Sequence, residues 1–125
     1  MDHLTSMERE QYKTVIDRLV RSCLKGQGQI GAGRAMAGVW NRAADDPEHD
    51  MPDQRRMNAL LATMSADDRE VLAEMLAQAF ESGVHETLKV LHEEEITPFE
   101  DGYEGTPFHD FVGRLNGWHW PDMGD

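Results

Sequence analysis

Apolar residues recur every three or four positions along much of this chain, which is the spacing of one face of an α-helix. The longest run begins after Ser65 and keeps one face apolar as far as Leu91. No segment alternates apolar with polar residues as a half-buried strand does. We therefore expect an all-α fold, a bundle of about five helices with an ordered, aromatic-rich C-terminal loop and tail. The predicted helices are at about 6–24, 31–44, 53–64, 66–93 and 106–116.

Polar residues at characteristic spacings mark where three of these helices begin. Thr5 and Glu8 have the spacing of a capping box, and the same spacing recurs at Ser65 and Asp68. Thr106 precedes a proline, and proline suits the first position of a helix because its fixed backbone angle is already helical. These signals predict helix starts close to residues 6, 66 and 107.

Glycine and proline mark the breaks between the helices. The glycines between 26 and 33 separate the first two helices, and the segment DDPEHDMP, with two prolines and clustered acids, predicts a loop. Gly83 lies in the middle of the longest predicted helix, where glycine costs about 1 kcal/mol relative to alanine. It indicates either a kink or the close approach of another helix, and we favour the close approach.

The length of 125 residues is that of one ordinary domain, and no Ser- or Pro-rich linker divides the sequence. The single cysteine, Cys23, has no internal disulfide partner, so it predicts a small buried hydrophobic residue in a reducing, cytoplasmic setting. The N-terminus lacks the pattern of a signal peptide, and no stretch approaches the ~18 apolar residues of a membrane span. We expect a single soluble domain, 1–125, outside the membrane.

Charge is distributed unevenly along the chain. The net charge is -12, from 12 basic and 24 acidic residues, and residues 61–125 hold three basic and 15 acidic side chains. This balance argues against nucleic acid as a partner, because binding to phosphate backbones relies on Lys and Arg. The acidic half is either a solvated surface that promotes solubility or a docking face for a basic partner.

Six of the nine aromatic residues fall in the last 27 residues, among many acids. One interpretation is that this segment folds back and packs on the bundle, with Phe108 and Phe111 in the core. The other is a recognition surface, with Tyr and Trp as anchors inside an acidic rim. Both interpretations can hold at once. The candidate interaction surface consists of Glu100, Asp101, Tyr103, Glu104, Trp118 and Trp120.

The segment GQGQIG matches the G-x-G-x-x-G spacing of dinucleotide-binding proteins. That fingerprint requires a preceding strand, whereas here a helix is predicted before it. We interpret it as a glycine-rich turn between two helices. Free backbone amides at the start of the second helix, near Arg34, still offer a place for a small anion.

Histidines on the longest helix raise the question of a metal site. His85 and His92 are seven residues apart, about 10 Å along a helix axis, whereas two ligands on one helix usually stand three or four apart. No H-E-x-x-H motif, cysteine pair or calcium loop is present. We therefore expect solvated or capping histidines, no cofactor and no assigned catalytic residue. A composite metal site with Glu81 and His109 is the alternative.

The tail from Gly83 to Pro121 contains a Pro-Phe loop, a His-Asp-Phe helix start and a terminal Trp-x-Trp-Pro. In these features it resembles a family of small uncharacterised bacterial helical proteins. The resemblance covers about a third of the chain. It implies a bacterial origin and an ordered tail, and it carries no catalytic residue with it.

Taken together, these features favour a small acidic protein that works by binding another protein, as an adaptor, an inhibitor or an immunity-like protein does. The binding segment would be the loop and tail at 93–120, and the partner a basic protein or a second copy of this chain. The alternative is a small-ligand or metal-binding helical bundle, with or without enzymatic activity. That alternative would use Glu81, His85, His92 and His109.

Overall fold

A computed structural model of the chain describes residues 4–103 and 105–121, and all of its regular structure is helical. No strand occurs in these two ranges, which confirms the all-α fold. Within them, no helix has the length and apolar character needed to cross a membrane. The α-helices are α1 (Ser6–Lys25), α2 (Ile30–Ala37), α3 (Pro52–Thr63), α4 (Ala66–Glu93) and α5 (Pro107–Leu115), with short 3-10 turns at Gln27–Gln29 and Arg42–Asp45.

The predicted capping residues begin three of these helices. At α1, Glu8 N–H donates to Thr5 Oγ1 at 3.0 Å and Thr5 N–H donates to Glu8 Oε1 at 3.1 Å, which is a complete capping box. At α4, Asp68 N–H donates to Ser65 Oγ at 3.1 Å. At α5, the hydroxyl oxygen of Thr106 accepts a backbone N–H of the first turn. The cap predictions are therefore confirmed.

The second predicted helix, 31–44, is wrong in its length. α2 ends at Ala37, because Gly38 adopts the left-handed conformation with φ of 78° and its N–H donates to carbonyl oxygens of the last helical turn. The chain then forms the 3-10 turn that Asn41 caps through its side chain. Among the described residues, four helices are longer than eight residues, rather than the five expected.

Contacts divide the chain into two compact units, which we describe separately. The first unit comprises residues 1–24 and 81–125, and the second comprises residues 25–80. α4 contributes residues to both units. The single-domain organisation expected from the length stays a prediction.

The second unit has a core of small and branched side chains. A buried amide completes it: Asn58 Oδ1 accepts from the N–H groups of Trp40 and Asn41 at 2.8 and 2.9 Å, and Asn58 Nδ2 donates to the carbonyl oxygen of Asn41 at 2.7 Å. α3 thereby holds the segment that follows α2. The buried core residues are Ala32, Ala35, Leu61 and Ala73, with Trp40, Met64, Leu72 and Leu76 packed against them.

Gly83 does not mark a close approach of another helix, and the preferred prediction for it is wrong. The residue is exposed, α4 runs through it without a break, and apart from its chain neighbours and the adjacent backbone of α4 no described atom lies within 4 Å of the place a Cβ would take. We expect Gly83→Ala to raise the free energy of unfolding by about 1 kcal/mol, because alanine loses less backbone entropy in a helix. Urea denaturation followed by circular dichroism measures the change.

Gly38→Ala is the matched control for this substitution. Gly38 has a positive φ, and a Cβ there would collide with the guanidinium of Arg69. This variant is expected to lose stability. A Gly83→Ala protein no more stable than the parent would contradict the prediction.

Candidate functional site

The six residues of the predicted interaction surface lie in different environments. Glu100 and Asp101 are half-buried and each is engaged by another group, and Tyr103 and Trp118 are also half-buried. Trp120 is only 1 % exposed, which favours a structural role, and its place on an interaction surface stays a prediction. The sixth residue, Glu104, lies outside the described residues.

Trp120 belongs to an aromatic cluster that we define as Tyr12, Phe99, Tyr103, Trp118 and Trp120. The ring centroid of Trp120 lies 5.1 Å from that of Tyr103, 5.2 Å from that of Trp118 and 6.0 Å from that of Tyr12. Phe99 completes the cluster at 5.8 Å from Tyr12. Tyr12 comes from α1 and is fully buried. The tail therefore folds back on the first helix, as one of the two sequence interpretations expects.

A buried carboxyl group anchors the cluster. Asp110, in the first turn of α5, has no exposed surface. Its Oδ2 accepts the hydroxyl of Tyr12 at 2.5 Å and the backbone N–H of Tyr103 at 2.7 Å. Gly102 is required beside it, because a Cβ there would lie 2.7 Å from Asp110 Oδ2 and 2.5 Å from the backbone carbonyl of Thr106. Burial, and then the hydrogen bond to Asp110, raise the pKa of Tyr12 well above its ordinary value.

A second carboxylate ties α1 to the end of the tail. Asp17 Oδ1 accepts from Arg114 Nε at 2.7 Å, and Asp17 Oδ2 accepts from the indole N–H of Trp120 at 3.0 Å. The guanidinium of Arg114 also lies 5.3 Å from the Trp120 ring centroid and donates to the carbonyl oxygen of Trp118 at 2.6 Å. Every polar atom of the Trp120 side chain is therefore satisfied inside the unit, which leaves it none to offer a partner.

Asp17, Asp110 and Arg114 are the residues that the sequence reasoning missed. One signal for Asp110 was available: it stands three residues after Pro107 and directly before Phe111, both buried on the same face of α5. A charged residue inside an apolar stripe predicts a buried polar contact. The sequence contains no comparable signal for Asp17, whose partners come from the distant tail.

The three histidines of the alternative metal site surround an aromatic ring instead. The ring centroids of His85, His92 and His109 lie 5.1, 5.9 and 5.0 Å from that of Phe108. Within 4–103 and 105–121, no three His, Cys, Asp or Glu side chains are arranged to hold a metal ion. The three histidines therefore share a contact with an apolar ring, and the metal site considered with Glu81 stays a prediction.

Cys23 is buried, as the sequence predicts. Burial, and secondarily the carboxylate of Glu81, raise the pKa of its thiol. The thiolate is the nucleophilic form of cysteine. Because the raised pKa disfavours the thiolate, Cys23 is suited to packing in the core.

The end of α4 contains a residue in a strained backbone conformation. We call Glu93–Ile96 the acidic turn. Its backbone forms a Schellman motif, in which Ile96 N–H donates to the carbonyl oxygen of Leu91 at 3.0 Å and Glu95 N–H donates to that of His92 at 3.1 Å. Glu95 occupies the left-handed position of this motif with φ of 55°, where glycine is usual.

Among the residues that the structure describes, the carboxylates of the acidic turn have no ion-pair partner. Glu93, Glu94 and Glu95 are exposed, and none forms an ion pair with another described residue. They stand at the C-terminal end of a 28-residue helix, where the unsatisfied carbonyl groups already carry partial negative charge. The acidic turn is therefore electrostatically unfavourable in the isolated protein.

The acidic excess belongs mainly to the unit that contains this turn. The first unit holds 15 acidic and six basic residues, and the second holds nine and six. An incoming cation is therefore attracted to the first unit more strongly than to the second.

A family model described as a family of unknown function (DUF6547) matches residues 5–122. The match covers nearly the whole chain, whereas the resemblance seen in the sequence was confined to Gly83–Pro121. No curated protein and no solved structure matches the chain.

Proposed function

The chain belongs to the DUF6547 family, and we propose that it acts by binding a basic protein partner through the acidic turn. One observation carries this proposal. Glu93, Glu94 and Glu95 are exposed, form no ion pair within the described part of the chain and stand at the negative end of the longest helix, and Glu95 has a left-handed backbone conformation. Residues that violate the usual preferences of backbone conformation and charge, with no compensating contact, are expected at functional sites.

Placing these acidic residues at the C-terminal end of α4 has a cost in free energy of known order. An acidic residue at a helix C-terminus is unfavourable by about 0.3–1 kcal/mol, and a non-glycine residue in the left-handed region by roughly 1 kcal/mol more. Lysine or arginine groups of a partner would offset both the partial negative charge at the helix end and the mutual repulsion of the carboxylates. Part of the stability lost in the free protein would then be regained on binding.

The charge balance favours a basic partner over a second copy of the chain. Two first units, each with 15 acidic and six basic residues, repel one another. A basic protein would instead be steered towards the acidic turn. Val90 and Ile96 add exposed apolar surface beside the carboxylates, at 47 % and 46 % exposure. Apolar contacts within a polar rim are the usual composition of an interface.

Two charge-removal variants of the same helix test the proposal. One carries Glu93→Gln, Glu94→Gln and Glu95→Gln at the C-terminal end of α4. The control carries Asp67→Asn, Asp68→Asn and Glu70→Gln, three exposed acids at its N-terminal end. Both remove three charges, so they differ only in the end of the helix they alter.

The probe is a fluorescent amphipathic peptide of lysine and leucine, and its affinity is measured by anisotropy at low and moderate salt. We expect the C-terminal variant to bind about tenfold or more weakly and the control to change by less than about twofold. In urea denaturation the C-terminal variant should gain about 1 kcal/mol and the control should lose a similar amount, because the helix dipole has opposite signs at the two ends.

Two results would count against the proposal. If both variants bound the peptide with equally weakened affinity, the binding would depend only on net charge. A C-terminal variant less stable than the parent would show that the three carboxylates do not destabilise the end of α4.

A further inference from the structure

The second unit contains a pocket of about 420 Å³ between α2 and the segment that follows it. Arg34 and Arg42 line it together with Trp40, Ile30 and Val39, and no acidic side chain does. A volume of this size suits a small organic molecule. It is larger than a bare inorganic ion needs.

The cations of this pocket lack counter-charges within the described ranges. Neither Arg34 nor Arg42 forms an ion pair with a described residue, although the chain has twice as many acidic as basic side chains. Arg34 lies over the indole of Trp40, with its guanidinium carbon 5.4 Å from the ring centroid. Stacking on an aromatic ring holds a guanidinium in one plane while its N–H groups remain available.

The neighbouring face of α2 differs from the arginine pocket in the charge of its side chains. A groove of about 330 Å³ there is lined by Glu70 and Glu74 and by no basic side chain. Gln29 and Gly33 line both the groove and the arginine pocket. The two surfaces share a helix but carry opposite charges, so only the arginine pocket is complementary to an anion.

The wall of the arginine pocket is held in place by hydrogen bonds. Asn58 fixes the backbone N–H groups of Trp40 and Asn41, and the Asn41 side chain accepts the N–H of Ala43 at 3.0 Å. A wall that is already ordered loses little conformational entropy when a ligand binds. Arg42 therefore lies on an ordered backbone segment, and Arg34 lies on α2.

We propose that this pocket binds a small organic oxyanion, a carboxylate or phosphate ester with an apolar body. Arg34 and Arg42 hold the oxyanion, because the guanidinium fork matches carboxylate and phosphate oxygens. Ile30, Val39 and the exposed part of Trp40 contact the apolar body. The proposal rests on the second unit alone and is independent of the acidic turn.

The test is a titration of the 15N-labelled full chain followed by NMR, with the indole N–H of Trp40 as reporter. Phenyl phosphate and benzoate are the probes that separate the two oxyanions, inorganic phosphate tests the role of the apolar body, and benzyl alcohol is the neutral control. We expect a saturable shift at Trp40 with at least one ring-bearing anion, binding about fivefold or more tightly than inorganic phosphate, and no saturable shift with benzyl alcohol.

Arginine variants locate the site. Arg34→Gln with Arg42→Gln should weaken binding about tenfold or more. Arg18→Gln with Arg21→Gln removes the same charge from two exposed positions of α1 and should leave it unchanged. All four side chains are exposed or only partly covered, so the core is untouched. Absence of a saturable shift in the unaltered protein, or equal weakening by the two double variants, would overturn the proposal.

Discussion

Trp120→Ala is expected to lower the free energy of unfolding by about 3–5 kcal/mol, the range for removing a buried tryptophan. The substitution removes a side chain that is 1 % exposed and takes its ring contacts with Tyr12 and Tyr103 away. It also leaves Asp17 Oδ2 without the indole N–H. Because whole domains are stable by about 5–15 kcal/mol, this loss endangers folding at moderate temperature.

Urea and thermal denaturation followed by far-ultraviolet circular dichroism measure the Trp120 effect. Trp118→Ala is the matched control, since Trp118 is a neighbouring indole that is only half-buried. We expect it to cost less than about 2 kcal/mol. If Trp120→Ala kept the parental stability and instead weakened peptide binding, Trp120 would be an interface residue after all.

Asp110→Ala is expected to cost about 2–5 kcal/mol, because it leaves two donors without an acceptor inside the unit. The Tyr12 hydroxyl and the Tyr103 N–H both donate to the same carboxylate oxygen, which has no exposed surface. Asp110→Asn should cost less, since the amide oxygen can still accept both hydrogen bonds. The same denaturation measurements apply to both variants.

A double-mutant cycle isolates the contact between Tyr12 and Asp110. Tyr12→Phe alone removes the hydroxyl and leaves the carboxylate its bond to Tyr103. In the Asp110→Ala background, Tyr12→Phe removes a donor that is already unsatisfied, so it should cost about 1–3 kcal/mol less than in the parent. Strict additivity would mean that the two groups do not interact in solution.

Trp120 and Asp110 are both buried and stabilise the fold, so the binding surface is proposed elsewhere. The tail aromatics gave the C-terminal segment its appearance of a recognition site, but Trp120 and Phe111 are each 1 % exposed. The exposed and unbalanced part is the acidic turn at the end of α4. Function is therefore proposed at a turn with unfavourable charges and a left-handed glutamate, in agreement with the general expectation that functional sites are under strain.

The sequence by itself determined the helices whose signals are local. α4 has the predicted bounds, 66–93, because one apolar face and one capping pair specify it within the segment. The predicted helix at 31–44 failed after Ala37, where Val39 and Trp40 continue a helical spacing that the backbone does not follow. Gly38 stops α2, and Asn58, 18 residues along the chain from Trp40, holds the segment that follows.

The acidic excess and the aromatic tail were also visible in the sequence, but which of their residues are buried was decided by the tertiary structure. Tyr12 and Asp110 are 98 positions apart, and Asp17 and Trp120 are 103 apart. Helical periodicity and capping operate over a few residues, so they specify where a helix begins and which face is apolar. They carry no information on which distant segment covers that face. Burial of Trp120, and exposure of the acidic turn, follow from that pairing.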